Sequence, residues 1–355
     1  MELIADIEIL NKKDIRKLKL DDLKTWMTEN GEKPFRAKQV YEWLWKNSAQ
    51  TFAEMNNIAL PLREKLDAHF FINAVQVATK QLSNDGTIKS AFKLYDSNIV
   101  EGVLIPMDDR MTACVSSQVG CSLTCKFCAT GYMDRKRNLN ADEIYDQVVL
   151  IDQQAKQNYN APLTNIVYMG MGEPLLNYAN VLKSIERITA PDALNMSYKR
   201  ITVSTAGISK MIKKLGDDGV KFNLALSLHA ANDKKRNEIM PINEHNTLKA
   251  LEEALKYYYS KTKNAVTYEY IVFNHFNDEI EDAMELAKFC KHVPCKVNLI
   301  EYNPIQFADF VNAEGDKIDA FSNYLKSQGI TTNIRRSRGK DIDAACGQLA
   351  VKQQN

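Results

Sequence analysis

The chain has 355 residues, of which 45% are hydrophobic and 26% are charged, and its formal net charge is +1. This composition is typical of a globular protein with a sizeable core, and the near-neutral charge neither requires nor excludes a nucleic-acid partner. No run of about 18 uncharged apolar residues predicts a membrane span, and residues 1–17 lack the apolar centre of a signal peptide. We therefore expect a cytoplasmic protein with no membrane partner, whose seven cysteines do not form a disulfide framework.

Residues 1–74 are predicted to form a small helical accessory domain. The segments DDLKTWMTENG and EKPFRAKQVYEWLWK have apolar residues at helical spacing. All three tryptophans lie in this region, and buried aromatics of this kind usually form the core of a small bundle; they are Trp26, Trp43 and Trp45. Interleaved basic residues leave room for an RNA-facing surface on the same domain; they are Lys33, Arg36, Lys38 and Lys46.

The pattern changes to alternation of apolar and polar residues over residues 75–106. The runs VQVATKQLS and SAFKLYD flank an NDGT turn, which is a hairpin signal, and SNIVEGVLIP follows as a further strand. We expect these strands to link the helical domain to a second body.

Residues 107–345 alternate short β-rich runs with helical segments. Six runs predict strands: TACVSSQVG, NIVYMGMG, RITVSTAG, KFNLALSLH, VTYEYIVF and KVNLIEYNP. Six strand–helix units predict an α/β fold with a parallel sheet wound into a partial barrel, open on one side, whose functional groups lie at the carboxyl ends of the strands.

Three cysteines fall within eight positions directly after the first of these strands; they are Cys121, Cys125 and Cys128. Structural zinc needs four closed ligands, and the chain offers no second close pair of the right kind. Cys290 and Cys295 lie on a helix end and a strand start, where we expect buried small hydrophobes. A [4Fe–4S] cluster bound by three thiolates keeps one iron open for a substrate or cofactor.

The spacing C-x-x-x-C-x-x-C, with Phe127 before the last cysteine, resembles the signature of the radical S-adenosylmethionine (SAM) superfamily. More blocks follow at the ends of later strands, namely GMGEPLLN, VSTAG, SLHA and EYNP, and RRSRGKDIDAACGQLA lies near the C-terminus. With CVSSQVGCSLTCKFCATG they are similar to the bacterial dual-specificity methyltransferases that modify C2 of adenosine in 23S ribosomal RNA and in tRNA. The resemblance runs over nearly the whole chain.

The resemblance implies a radical-SAM partial barrel that holds a [4Fe–4S] cluster and uses two molecules of SAM per turnover. The cluster would be bound by Cys121, Cys125 and Cys128. The SAM pocket would be formed by residues at the strand ends, which are Glu173, Pro174, Ser204, Ser227, Leu228, His229 and Asn303. A lone serine or histidine at such a position is more often satisfied locally, so their joint placement carries the assignment.

C2 of adenine lies between two ring nitrogens and is electron-poor, so methylation there needs a radical route supplied by the cofactor. By resemblance, Cys346 in the segment 346–355 is methylated by a first SAM. A radical from the second SAM then removes hydrogen from that methyl group, and the carbon adds to C2. Cys114 would release the product by forming a transient disulfide with Cys346. Glu101 matches the proton acceptor of the family.

Three basic clusters would border the site and contact RNA phosphates, with the target adenine unstacked into the pocket. The first is Arg135, Lys136 and Arg137, the second is Lys199 and Arg200, and the third is Arg335, Arg336, Arg338 and Lys340. The resemblance also implies a flavodoxin- or ferredoxin-type electron donor and a monomer.

Two alternatives stay open at this point. Relatives that methylate C8 of the same ribosomal adenosine share the cluster motif and both catalytic cysteines, although GEPLLN and RRSRGKD fit the C2 enzymes better. A non-catalytic iron–sulfur RNA-binding module would leave Cys114, Cys346 and the strand-end blocks without a role.

Overall fold

The structure is a computed structural model, and it describes residues 12–351. The targeting prediction for the first residues therefore lies largely outside the described part, as do the outer ends of the predicted segments 1–74 and 346–355. The division into domains at residues 74, 106 and 345 stays a prediction.

The first part of the described chain is helical, as predicted. The helices are α1 Leu20–Glu29, α2 Phe35–Trp45 and α3 Leu60–His69. Their apolar faces pack together with Trp45, which is buried, whereas Trp26 and Trp43 are only half-buried against the same core. A short parallel pairing of Lys13–Asp14 with Phe70–Phe71 closes this unit.

One ten-stranded sheet forms the body of the protein, and its strands lie side by side in chain order. The strands are β1 Gln76–Leu82, β2 Ile88–Lys93, β3 Ile99–Met107, β4 Arg110–Cys114, β5 Asn165–Tyr168, β6 Ile201–Thr205, β7 Asn223–Ser227, β8 Val266–Val272, β9 Cys295–Glu301 and β10 Thr331–Arg335. Pairing is antiparallel from β1 to β4 and parallel from β4 to β10. Among the described strands β10 does not pair with β4, so the parallel part is an open, partial barrel.

At least one helix follows each strand from β4 to β9, which confirms the six predicted strand–helix units. The helices are α4 Ala141–Tyr159, α5 Tyr178–Thr189, α6 Ser209–Asp217, α7 Asp233–Ile239, α8 Leu248–Thr262, α9 Ile280–Cys290 and α10 Gly315–Ser327. The longest, α4, starts with a capping box between Asn140 and Glu143 and ends at Asn160 in the left-handed conformation.

The structure adds one strand that the sequence pattern did not predict. In β10 the sequence is TTNIR, and its burial does not follow the apolar alternation of a half-buried strand. The predicted hairpin is present as β1 and β2, and with β3 it continues the barrel sheet.

Buried charges join the helical unit to the barrel. Arg16 donates to Asp146 Oδ1 of α4 from 2.7 Å, and both side chains are buried. The carboxylate of Asp146 also accepts from the backbone amide of Val75 at 3.0 Å. Burial raises the pKa of the neighbouring Asp142 to about 7, and the nearby charge of Asp14 adds to the effect. Arg16 is therefore the cation that makes this acidic contact tolerable.

None of the helices within residues 12–351 is both long enough and apolar enough to cross a membrane.

We expect Arg16→Ala to lower the free energy of unfolding by about 3–5 kcal/mol, because it leaves buried carboxylates without their cation. Lys24→Ala removes an exposed ion pair with Asp21 and should leave the urea midpoint close to that of the parent. Urea titrations of both variants and the parent measure the difference. Equal midpoints for Arg16→Ala and the parent would contradict this account of the contact.

Candidate active site

A cleft at the carboxyl ends of the parallel strands brings most of the predicted site residues together. It has about 910 Å³ of empty space, part of it open to solvent, which suits a cofactor and a substrate group. The predicted residues that line it are Cys121, Cys125, Cys128, Glu173, Pro174, Ser204, Ser227, His229 and Cys346. Leu228, Asn303, Cys114 and Glu101 do not line the cleft directly.

The three-cysteine loop folds tightly on itself between β4 and α4. The backbone amide of Cys128 donates to Cys125 O at 3.2 Å, and the amide of Gly131 donates to Cys128 O at 2.9 Å. Only glycine fits at position 131, because a side-chain carbon there would lie 2.7 Å from Cys125 O. This local turn directs all three cysteines into the cleft.

The three thiols lie in an environment that disfavours their charge. Burial raises the pKa of Cys125 well above its usual range, and the charges of Cys128 and Cys121 raise it further. Burial likewise raises the pKa of Cys121 to about 11. Three close thiolates in an apolar cleft need a cation to offset their repulsion, so the donor set fits an iron–sulfur cluster.

Within residues 12–351, no group of three or more His, Cys, Asp or Glu side chains is arranged to hold a single metal ion. In a [4Fe–4S] cluster each thiolate binds a different iron, so the cysteines need to surround a volume rather than converge on a point. The lining of the cleft therefore fits a cluster better than zinc.

Glu173, after β5, is a buried carboxylate held by the backbone. Its oxygens accept from the amide of Ala206 at 2.7 Å and from the amide of Leu175 at 3.0 Å. Burial raises the pKa of Glu173, and these hydrogen bonds act against that rise. The GEPLLN block thus fixes an acceptor group at the edge of the cleft, across from the cysteines.

Ser204 and Ser227 end neighbouring strands, and their hydroxyl oxygens are 3.3 Å apart. Asn303, after β9, donates from Nδ2 to Cys346 O at 3.1 Å. Among the described residues, Asn303 Oδ1 is buried without a hydrogen-bond partner, which leaves one acceptor available to a ligand. Leu228 is fully buried and packs in the core.

His229 has a local structural role. Its Nδ1 accepts from the amide of Ile271 at 3.1 Å, and its ring packs edge-on against Phe127 with centroids 4.7 Å apart. Burial lowers the pKa of His229 to about 3, and the charge of Arg236 contributes. The imidazole is therefore neutral, and it supports the cluster loop through Phe127.

Strand register explains why residues outside the cleft lining still belong to the site. Cys114 on β4 pairs with Val103 on β3, which in turn pairs with Lys89 on β2. Glu101 is two residues from Val103, so its side chain lies on the same face. Following the parallel register, this face continues through Ser204, Ser227, Glu269 and Arg335, which line the cleft.

Cys346 lies close enough to both other sets of cysteines to affect their ionisation. Burial raises the pKa of Cys114 to about 12, and the charge of Cys346 adds to this. Burial also raises the pKa of Cys128, and the charge of Cys346 makes a smaller contribution in the same direction. All seven cysteines lie within residues 12–351, and none of them forms a disulfide in this structure.

Arg335, predicted above only as an RNA-contacting cation, forms an ion pair beside these cysteines with Glu269, which was not among the predicted site residues. Arg335 Nη1 is 3.2 Å from Glu269 Oε2. Burial would lower the pKa of Arg335, but the charges of Cys346 and Glu269 outweigh it. A glutamate within the otherwise apolar run VTYEYIV was the signal that could have indicated it.

Glu101 is buried next to a cation. Its Oε1 is 3.5 Å from Lys89 Nζ. Burial raises the pKa of Glu101, while Lys89 and the backbone of Ala350 act to lower it. Sequence alone would suggest that Glu101 is an exposed carboxylate at a strand end. In the structure it is buried instead, between β2 and the part of the chain near Cys346.

Several residues of the basic clusters are less available to bind RNA phosphates than predicted, because they form ion pairs within the protein. Arg137 forms ion pairs with Asp96 at 2.6 Å and Glu143 at 2.8 Å. Arg336 and Lys340 both pair with Glu301. The expectation that every cluster borders the site is wrong for Lys199 and Arg200, because they enter β6 at its amino end, opposite the cleft.

Cys290 is buried and Cys295 is half-buried at the amino-terminal edge of the sheet. The thiol of Cys295 donates to Cys290 O at 3.5 Å. The prediction of a structural role is confirmed for Cys290 by its burial, and neither cysteine lines the cleft.

Comparisons with known proteins agree with this geometry. Residues 115–287 match the family model of the radical SAM superfamily, and residues 13–72 match the N-terminal domain of ribosomal RNA large subunit methyltransferases. A crystal structure of a radical SAM methyltransferase from Sphaerobacter thermophilus superposes with a TM-score of 0.91 at 36% identity, covering 96% of this chain and all of that one. The chain is thus a radical SAM enzyme, a class that uses a [4Fe–4S] cluster and SAM.

Two relatives show which family within this class the chain belongs to. A probable dual-specificity RNA methyltransferase RlmN from Cytophaga hutchinsonii is 62% identical over 344 residues, which is 97% of this chain and 94% of the relative. The protein of the same name from Bacillus subtilis is 42% identical over 97% of this chain and 98% of its own length. The chain belongs to the RlmN family of dual-specificity RNA methyltransferases, which confirms the resemblance seen in the sequence.

We expect the stability of the parent protein to fall as the pH drops below about 6.5, because unfolded His229 takes up a proton there while folded His229 does not until about pH 3. In His229→Asn this loss should be smaller by up to ~1.4 kcal/mol per pH unit between pH 6.5 and 4. Denaturant titrations at pH 7 and pH 5 give both slopes. Identical slopes for the two proteins would mean that folded His229 takes up its proton at the same pH as unfolded His229 does.

Proposed function

We propose that this enzyme methylates C2 of an adenosine in 23S ribosomal RNA and in tRNA, and that Cys346 carries the methyl group. The observation that carries the proposal is that Cys346 lines the same cleft as the three-cysteine loop and lies close enough to buried Cys114 to affect its ionisation. These residues lie up to 232 positions apart in the chain, between 114 and 346. A binding module would need only the loop.

Cys121, Cys125 and Cys128 would bind three irons of the [4Fe–4S] cluster. Glu173, Pro174, Ser204, Ser227, Leu228, His229 and Asn303 would form the pocket for SAM, two molecules of which are used per turnover. When bound, the cluster and SAM supply a reductive cleavage that yields a 5′-deoxyadenosyl radical. Glu173 and Asn303 offer acceptors to the amino-acid end of SAM, whereas His229 shapes the pocket from behind Phe127.

Cys346 would first lose its thiol proton and accept a methyl group from SAM. After one hydrogen atom is removed from this methyl group, its carbon would bond to C2 of the adenine, which joins enzyme and RNA. The radical adduct would return one electron to the reducing system and lose the C2 proton. Attack of the Cys114 thiolate on the sulfur of Cys346 would then form the disulfide and break the sulfur–carbon bond, and the transferred carbon would keep the electron pair of that bond and take up a proton to become the methyl group. Arg335 favours the thiolate form of both cysteines by its charge.

Glu101 would receive the C2 proton. It shares a sheet face with Cys114, and burial raises its pKa, which makes the carboxylate a stronger base than an exposed one. Lys89, 3.5 Å away, acts against this rise in pKa through its positive charge.

The proposed reaction needs RNA as its substrate and a flavodoxin- or ferredoxin-type protein as its electron donor, and it involves no membrane. We further propose that the enzyme is a monomer that works in the cytoplasm. For RNA phosphates, the exposed cations near the cleft are Arg135 and Lys136, whose hydrogen bonds go to the neutral amides of Asn138 and Asn98.

We expect Cys346→Ala to make no 2-methyladenosine, and Cys114→Ala to accumulate protein bound covalently to RNA, because the adduct cannot be resolved. Anaerobic reactions with SAM, a reductant and unmodified ribosomal RNA, followed by nucleoside mass spectrometry and denaturing gels, measure both. Cys295→Ala, at the opposite edge of the sheet, serves as the control with full activity. If 8-methyladenosine formed instead, the proposed C2 specificity would be wrong.

Replacing any one of the loop cysteines by alanine should lower bound iron from about four per chain toward zero, because two thiolates hold a [4Fe–4S] cluster poorly. Iron analysis and visible absorbance after anaerobic reconstitution measure the loss. Cys346→Ala is the matched control and should retain full iron. Iron retained by Cys125→Ala would show that the cluster has another ligand.

A further inference from the structure

The segment of residues 336–351, here called the strap, crosses the end of the barrel from β10 and carries Cys346. Its only regular structure is the three-residue 3-10 helix Lys340–Ile342. Regular secondary structure therefore does not determine where the strap lies, and contacts with other elements must do so.

Beyond Cys346, the strap is attached to the cleft itself. The amide of Ala129 donates to Gly347 O at 2.7 Å, and the hydroxyl of Thr130 donates to Leu349 O at 2.6 Å. On the other side, Gln348 Nε2 donates to Pro304 O at 3.0 Å. These bonds fix the strap to the cysteine loop and to the segment after β9.

Before Cys346, the strap is attached to a different element, the turn between β1 and β2. Asp85 Oδ2 accepts from the amide of Gly339 at 2.9 Å, and Asp85 Oδ1 accepts from the amide of Thr87 at 2.9 Å. In the opposite direction, Asp341 of the strap accepts from the hydroxyl of Ser83 and from the amide of Asn84, the latter at 3.0 Å. Each carboxylate thus accepts from a backbone amide in the segment that carries the other carboxylate.

The packing at this junction is close. Gly339 has a φ of 66°, and a side-chain carbon there would lie 2.7 Å from Ala344 Cβ and 2.9 Å from Thr87 Cγ2. Only glycine meets both demands. Burial would raise the pKa of Asp85, but the hydrogen bonds from Gly339 and Thr87 prevail and lower it to about 2, so the carboxylate stays charged at neutral pH.

We propose that Asp85 and Asp341 are positioning residues that hold the strap so that Cys346 faces Cys114 and the cleft. The inference rests on the proposed role of Cys346. Asp341 and Gly339 precede Cys346 by five and seven residues, so both acids act through the backbone of the strap.

Positioning matters because Cys346 has several partners in turn. Its sulfur must meet a methyl donor, then the RNA base, and finally Cys114. Arg336 and Lys340 also hold the strap through Glu301, and Lys89 Nζ donates to Asp343 O at 3.5 Å. Loss of the contacts with the β1–β2 turn would therefore loosen the strap before Cys346 rather than free it, and would lower the effective concentration of Cys346 toward each partner.

The first measurement is the equilibrium of the Cys114–Cys346 disulfide in full-length, cluster-loaded protein with unmethylated Cys346, kept anaerobic. The protein is equilibrated with a glutathione redox buffer. One molecule of glutathione disulfide is reduced to two molecules of glutathione as the thiols of Cys114 and Cys346 are oxidised to the disulfide. We expect Asp85→Ala/Asp341→Ala to lower the equilibrium constant for disulfide formation by about tenfold or more. Peptide mass spectrometry counts the oxidised pair.

The second measurement is the number of 5′-deoxyadenosine molecules released per methylated nucleoside. The double variant should release several times more, because the radical is generated while Cys346 is out of place. Asp109→Ala is the matched control, since Asp109 lies in the β3–β4 turn of the same sheet and its recorded ion pair is with Arg110. It should behave as the parent does in both measurements.

The conservative variant Asp85→Asn keeps one acceptor oxygen, enough for Gly339 or for Thr87 but not for both, and should fall between the parent and Asp85→Ala in both measurements. It also keeps the test decisive if the double variant folds poorly, because single Asp85→Ala and Asp85→Asn then form the comparison. Parental disulfide equilibria and product ratios in the alanine variants would overturn the proposal. If the parent itself makes no methylated adenosine, the proposed function fails, while the disulfide equilibrium still tests the positioning.

Discussion

Parallel pairing of neighbouring strands fixes which side chains can meet in this protein. Seven strands, β4 to β10, end at one edge of the sheet, so loops that are distant in sequence open onto one cleft. The same register aligns Lys89, Glu101 and Cys114 with the polar residues of later strands on one face. A slip of one residue in β4 would turn Cys114 to the helix-covered side. The chemistry of the site therefore depends on register before it depends on any single contact.

Low polarity inside the cleft is the second constraint. It raises the pKa of Cys114, Cys121 and Cys125, so these thiols stay protonated and unreactive without a cation or a base nearby. The protein compensates selectively. Arg335 brings a positive charge to Cys114 and Cys346, and Arg236 brings one to Cys125. In the proposed mechanism iron would supply the further positive charge that the cysteine loop needs, so the thiols would divide into a metal-binding set and a reacting pair.

Much of this arrangement could be predicted from the sequence. The fold class follows from the helical periodicity and the six β-rich runs. The position of each motif directly after a strand predicts that its residues lie at the carboxyl edge of the sheet, where the structure has them. What the sequence did not reveal depends on long-range contacts. Arg137 pairs with Asp96, 41 residues away, and Arg336 pairs with Glu301, 35 residues away, so a basic cluster that is typical of an RNA contact is partly neutralised. Strand β10 was missed because its polar residues face the cleft or solvent.

The strap has a kinetic consequence that follows from its sequence separation. Every strand of the sheet pairs with its neighbour in chain order, so the sheet can grow by local steps. The bonds from the β1–β2 turn to the strap instead close loops of 254 to 258 residues. Loop entropy rises only slowly with length, so these bonds cost little in stability, but such distant contacts form late. Cys346 would therefore reach its partners after the other thiols of the cleft are enclosed, which limits the time in which cysteines could pair wrongly during folding.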